Sequence, residues 1–122
     1  MSTEVIQDKP VVVRAIGDID LYNVAEFRKA LDETAEMSPD GFIIDLSETT
    51  YIDSAGVQAI LAVYVKVDAN KGRLALVAGN PRIKSVLEVV HLEMLPRMCV
   101  YNDLHSAKEM IKCESCRSRS RQ

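Results

Sequence analysis

The 122-residue chain has no tryptophan, only two phenylalanines and four tyrosines. Tyr22, Tyr51, Tyr64 and Tyr101, with Phe27 and Phe42, form no stripe on which nucleic-acid bases could stack, so they read as packing residues. Positive charge is also in short supply: fifteen Lys and Arg stand against eighteen Asp and Glu, a formal net charge of −3. That balance argues against the phosphate attraction on which nucleic-acid binders depend. No apolar stretch exceeds Ala59–Val65, far below the roughly 18 residues a membrane span requires. The opening MSTEVIQDKP lacks the apolar segment of a secretory signal. Three cysteines, an odd number, suit a reducing compartment, and a cytoplasmic location is expected.

With 48% hydrophobic and 27% charged residues, the composition is that of an ordinary globular protein, and the length fits one domain with its own core. Val11–Ile16 (VVVRAI) is β-branched and ends at Gly17, which predicts a strand, with residues 3–8 as an edge strand before it. Next comes a helix over NVAEFRKALDETAEM, with Asn23 as N-cap, Glu26 as its capping-box partner, and Val24, Phe27, Ala30, Leu31 and Ala35 at helical spacing. Phe42–Leu46 (FIIDL) has the pattern of a strand covered on both faces. Val57, Ile60, Leu61, Tyr64 and Val65 recur at helical spacing, with Gly72 as the C-cap. Leu74–Ala78 is the next buried strand. Asn80 and Pro81 start a third helix, MCVY is a last strand, and DLHSAKEMI a last helix capped by Asp103 or Asn102. Strands alternating with helices predict a single α/β domain: a mixed, mostly parallel sheet of four or five strands with four helices.

That domain is expected over residues 1–112. The last ten residues, CESCRSRSRQ, lack apolar periodicity and read as a disordered tail. Arg117, Arg119 and Arg121 against Glu114 make it basic, so the preceding body carries about −5. Cys113 and Cys116 have the spacing of half a zinc site or of a redox pair. A structural site needs two further ligands, and a redox motif should open a helix. Exposed tail thiols are the better reading, and no metal or other cofactor is expected.

The stretch YIDSAG, Tyr51 to Gly56, sits between a strand and a helix. Its plainest use is as a helix start, the Ser54 hydroxyl accepting from a first-turn N–H and Gly56 easing the entry. Asp53 or Ser54 alone would suffice for that, and small Ala55 and Gly56 leave the Ser54 hydroxyl sterically open. A phosphate there would meet backbone donors at the positive end of the helix. It would also add about −1.5 to −2 of charge beside Asp53 and, if the loop after the first long strand lies at the same end of the sheet, beside Asp18 and Asp20 of GDID. A partner docked on that surface would be repelled.

GDID and YIDSAGV together resemble the two signature elements of the anti-sigma factor antagonists, whose fold is the STAS domain: a Gly-acid-apolar-Asp element, and an apolar-Asp-Ser-Ser/Thr-Gly-apolar phosphorylation motif. The resemblance runs from about residue 5 to residue 112. It implies Ser54 as phospho-acceptor, Asp20 as the acid that supports phosphorylation and partner binding, and Asp53 and Gly56 as the parts of the turn that present the hydroxyl. Ala55 departs from the family, which often has a second Ser or Thr there. The partners implied are an anti-sigma factor that is also a serine kinase and a phosphatase of the PP2C class. Unphosphorylated antagonist binds the kinase and frees the sigma factor; phosphorylated antagonist lets go. Gln58 and Ala62, one and two turns beyond Ser54, offer a mild face for docking.

An enzyme with Ser54 as nucleophile would want the G-x-S-x-G elbow, but Ile52 stands two residues before the serine. His91 and His105, the two histidines, read as surface or helix-end residues rather than bases. The expectation is therefore a non-enzymatic regulator. The alternative within the same fold is a STAS subunit of a transporter or a scaffold of a stress-signalling assembly.

Overall fold

Residues 1–7 and 10–111 are described by the computed structural model. Five aliphatic-rich segments pair into one sheet: β1 (Ser2–Ile6), β2 (Val12–Ile19), β3 (Gly41–Ile52), β4 (Arg73–Val77) and β5 (Met98–Tyr101). They lie side by side in chain order, β1 antiparallel to β2 and the rest parallel. Helices α1 (Val24–Met37), α2 (Ser54–Ala69) and α3 (Pro81–Val89) make the three crossovers, and α4 (Leu104–Ile111) follows β5. The mixed, mostly parallel sheet expected with four or five strands and four helices forms with five.

Side-chain alternation along β3 decides where the helices go. Phe42, Ile44 and Leu46 enter the main core with Phe27 and Leu31 of α1, Ile60 and Val63 of α2, and Ile83 and Leu87 of α3. Ile43 points the other way, into a smaller core with Val12, Ala75, Val77 and Ala107 of α4. The FIIDL run is thus buried on both faces, as its unbroken apolarity predicts. Its one acid, Asp45, is 1% exposed and is neutralised by Arg14, whose Nε lies 3.1 Å from Oδ2. The amide and hydroxyl of Ser47 donate to Oδ1. Such pairing is what makes a buried carboxylate tolerable.

Two strands outrun their apolar runs. β2 continues through Gly17 to Ile19, and β3 continues through the polar SETT segment to Ile52. The ladder persists because β3 takes up an extra residue twice, between the pairs Arg14↔Asp45 and Ile16↔Glu48 and again between Gly17↔Thr49 and Asp18↔Tyr51. Thr49 is buried, and its hydroxyl donates to the Ala15 carbonyl at 2.9 Å.

The helix ends show which sequence signals were used. Asn80 caps α3 by accepting from the Arg82 amide, with Pro81 at the first position, and Asp103 accepts from the Ser106 amide at the start of α4. The capping box expected at Asn23 and Glu26 does not form: the Asn23 side chain turns away from its helix, accepting from the Asp20 amide and donating to the Asp18 carbonyl. At the end of α2 the left-handed position is taken by Lys71, φ 58°, and not by Gly72. The Gly72 amide reaches back to Val67 O and the Lys71 amide to Asp68 O, the paired bonds of a Schellman ending. Gly72 is needed for another reason: a Cβ there would lie 2.6 Å from the Asp40 backbone. The tail expected to be disordered, with Cys113, Cys116 and its arginines, lies outside the described residues.

Candidate phosphorylation and docking site

β2 and β3 run parallel, so the turns that leave them lie at the same end of the sheet. Asp18 lies near the end of β2 and Asp20 in the turn after it; Asp53 lies in the turn after β3, with Ser54 opening α2. The two turns are stitched together directly, since the Asp53 amide donates to Ile19 O at 3.2 Å and Asp53 Oδ2 accepts from the Leu21 amide at 3.2 Å. The juxtaposition that the sequence left conditional is therefore real.

The N-cap of α2 is Asp53, and Ser54 is the first helical residue. Asp53 Oδ1 accepts from the amides of Ala55 at 2.9 Å and Gly56 at 3.4 Å. The cap expected of the Ser54 hydroxyl is thus supplied by its neighbour. Among the described residues that hydroxyl takes part in no hydrogen bond, and Ser54 is exposed. The consequence is chemical: an oxygen with neither a partner nor cover is open to an incoming phosphoryl group. Once esterified, it would find the Ala55 and Gly56 amides already bonded to the Asp53 carboxylate, a like charge beside the phosphate.

Gly56 is buried for packing, not to ease the turn. A Cβ at this position would lie 2.6 Å from Ile52 Cγ1 and 2.9 Å from Ile19 Cγ2, and both isoleucines are in the main core. The missing side chain lets the first turn of α2 press onto the ends of β2 and β3. Ala55 is half-buried and offers only its amide to the cap.

The acids of the site also hold its loops in shape. Asp20 Oδ1 accepts from the amides of Tyr22 at 3.0 Å and Asn23 at 3.2 Å, starting α1. Asp18 is exposed and accepts from the Thr50 hydroxyl. Gln58 is exposed on α2 one turn beyond Ser54, with Ala62 half-buried after it and exposed Val65 beyond. His91 follows α3 and His105 lies in the first turn of α4; neither is bonded to Ser54. The packing role expected of Tyr22 and Tyr51 does not hold, since they are 94% and 52% exposed, and Leu21, which the sequence did not single out, is 70% exposed. The signal was two apolar residues between Asp20 and the Asn23 turn, outside any periodic segment.

Comparison with known proteins agrees with this architecture. An anti-sigma-B factor antagonist of Staphylococcus aureus is 25% identical over 89 residues, 73% of this chain and 82% of that relative. The crystal structure of an anti-sigma factor antagonist from Mycobacterium paratuberculosis superposes with a TM-score of 0.82 at 24% identity, over 92% of this chain and 94% of that one. The Bacillus cell fate determinant SpoIIAA in its phosphorylated form gives a TM-score of 0.65 at 21% identity, over 88% of this chain and 98% of that one. The family model of the STAS domain matches residues 2–107, which takes in all five strands and both turns of the site. The chain belongs to the STAS domain family.

Proposed function

We propose that this protein is an anti-sigma factor antagonist controlled by phosphorylation of Ser54. In the unphosphorylated form the surface formed by Asp18, Asp20, Asp53, Ala55, Gln58 and Ala62, on the helix start that buried Gly56 seats, binds an anti-sigma factor that is also a serine kinase, and the sigma factor is released. Transfer of phosphate to Ser54 ends that binding, and a PP2C-type phosphatase restores it. The protein acts by binding, not by catalysis, in the cytoplasm; no helix among the described residues is long and apolar enough to cross a membrane.

The observation that carries this reading is the division of work between Asp53 and Ser54. Because the carboxylate caps α2, the serine can be modified without unmaking the helix start. A hundredfold loss of affinity requires about 2.8 kcal/mol. A group of about −1.5 to −2 charge placed in an interface already lined by three carboxylates supplies energy of that order through repulsion and desolvation. SpoIIAA, which has the same fold, occurs in a phosphorylated form, and this supports control by phosphorylation.

The test is intact mass after incubation with ATP and the anti-sigma factor kinase of the same genome. The expected result is one added phosphate on the wild type and none on Ser54→Ala, with Ser54→Ala binding the kinase constitutively and Ser54→Asp binding weakly. A folded protein that takes up no phosphate from an active kinase would overturn the proposal and favour a STAS module in a transporter or a signalling scaffold.

A further inference from the structure

We propose that Tyr22, flanked by Leu21, is the apolar anchor by which this protein selects its anti-sigma factor; the inference rests on the function proposed above. Single exposed apolar residues are ordinary on protein surfaces. Two consecutive ones that are 70% and 94% exposed, in a turn fixed this firmly, are not accounted for by folding. Neither side chain belongs to either core.

The backbone beneath them is held at every step. The Asp20 amide donates to Asn23 Oδ1 at 2.9 Å, the Leu21 amide to Asp53 Oδ2 at 3.2 Å, and the Tyr22 amide to Asp20 Oδ1 at 3.0 Å. Asn23 then clamps the turn from below through the Asp18 carbonyl. A loop fixed in this way loses little entropy when its side chains are buried by a partner, which is the condition for a strong anchor. Tyrosine is also among the residues that most often carry binding energy at interface centres.

The turn adjoins the Ser54 surface, because Asp53, next to the acceptor serine, bonds the Leu21 amide directly, so a partner seated on that surface lies beside it. The occupant fitted to it is an anti-sigma factor with an apolar recess for the tyrosine ring. Tyr22 lies outside the phosphorylation motif, so it can set which kinase is bound without altering how the bound state is switched off.

Calorimetric titration of full-length protein with the anti-sigma factor kinase of the same genome tests this. Tyr22→Ala should weaken binding about thirtyfold or more, Leu21→Ala by a smaller factor, and Tyr22→Phe should bind close to the wild type. All three should unfold at the wild-type denaturant midpoint, because the side chains are exposed. If Tyr22→Ala binds as the wild type does while Ser54→Asp binds weakly, the anchor is overturned and the switch stands. A wild type that binds no anti-sigma factor overturns both. If Tyr22→Ala instead loses only a concentration-dependent self-association in sedimentation, the turn serves a second copy of this chain and the proposal fails.

Discussion

A serine hydroxyl engaged in capping its own helix must break that bond before it can be esterified, and its replacement then weakens the fold as well as the signal. In this protein Asp53 accepts from Ala55, Gly56 and Leu21, and Ser54 is left with no such duty. Ser54→Ala should therefore shift stability by less than about 0.5 kcal/mol, whereas Asp53→Ala should cost about 1–2 kcal/mol through the lost cap; urea denaturation midpoints compared for the two variants decide this. The motif itself was plain in the sequence, but its chemistry was assigned one residue out of place. Ser and Asp are near-equal N-caps, and the one-residue difference in helix start that separates them leaves no trace in apolar spacing. Tyr22 was read as a packing residue and is not one, for a different reason: exposure of a loop side chain depends on what packs around it, which no local pattern records.

Elements were legible where a segment carries both periodicity and a boundary residue. The third helix is the clearest case, with Asn80 and Pro81 marking its start and Ile83 and Leu87 its buried face. The β2–β3 pair was only half legible, because its outer stretch is held by ladder bonds and by Thr49 rather than by apolar residues, and its two register steps arise from pairing between distant segments. The end of α2 was read at the right place with the wrong residue. Lys71 takes the strained left-handed conformation while glycine stands next to it, held there by the approach of Asp40. Lys71→Gly should accordingly raise stability by about 0.5–1 kcal/mol, the relief of left-handed strain exceeding the added freedom of the unfolded chain. An increase in the thermal midpoint would bear this out; a decrease would show that the strain is already relieved by the surrounding contacts.

For the molecule as a whole, the main core sets a limit at alkaline pH. Tyr64 of α2 lies in that core, and burial, chiefly, raises its phenol above the ordinary value of 10.0, with Asp68 adding to the effect. Below pH 10 the group is neutral in folded and unfolded chains alike. As pH rises past 10, the unfolded chain ionises first, so stability falls until the folded-state value is reached. Tyr64→Phe should flatten the decline in stability between pH 9 and pH 11, measured as the change within each protein; a slope equal to that of the wild type would refute the assignment. Fold class was the most legible property, since alternation of strands and helices prescribes layers even where individual boundaries shift. The order of strands has a consequence for where the protein can work. In doubly wound sheets a ligand crevice opens where successive crossovers diverge to opposite faces. From β2 to β5 each crossover steps to the next strand in the same direction, with α1, α2 and α3 all on one face, so no such divergence occurs. The turns at the ends of β2 to β5 therefore stand side by side along one rim of the sheet, in the order in which the chain makes them.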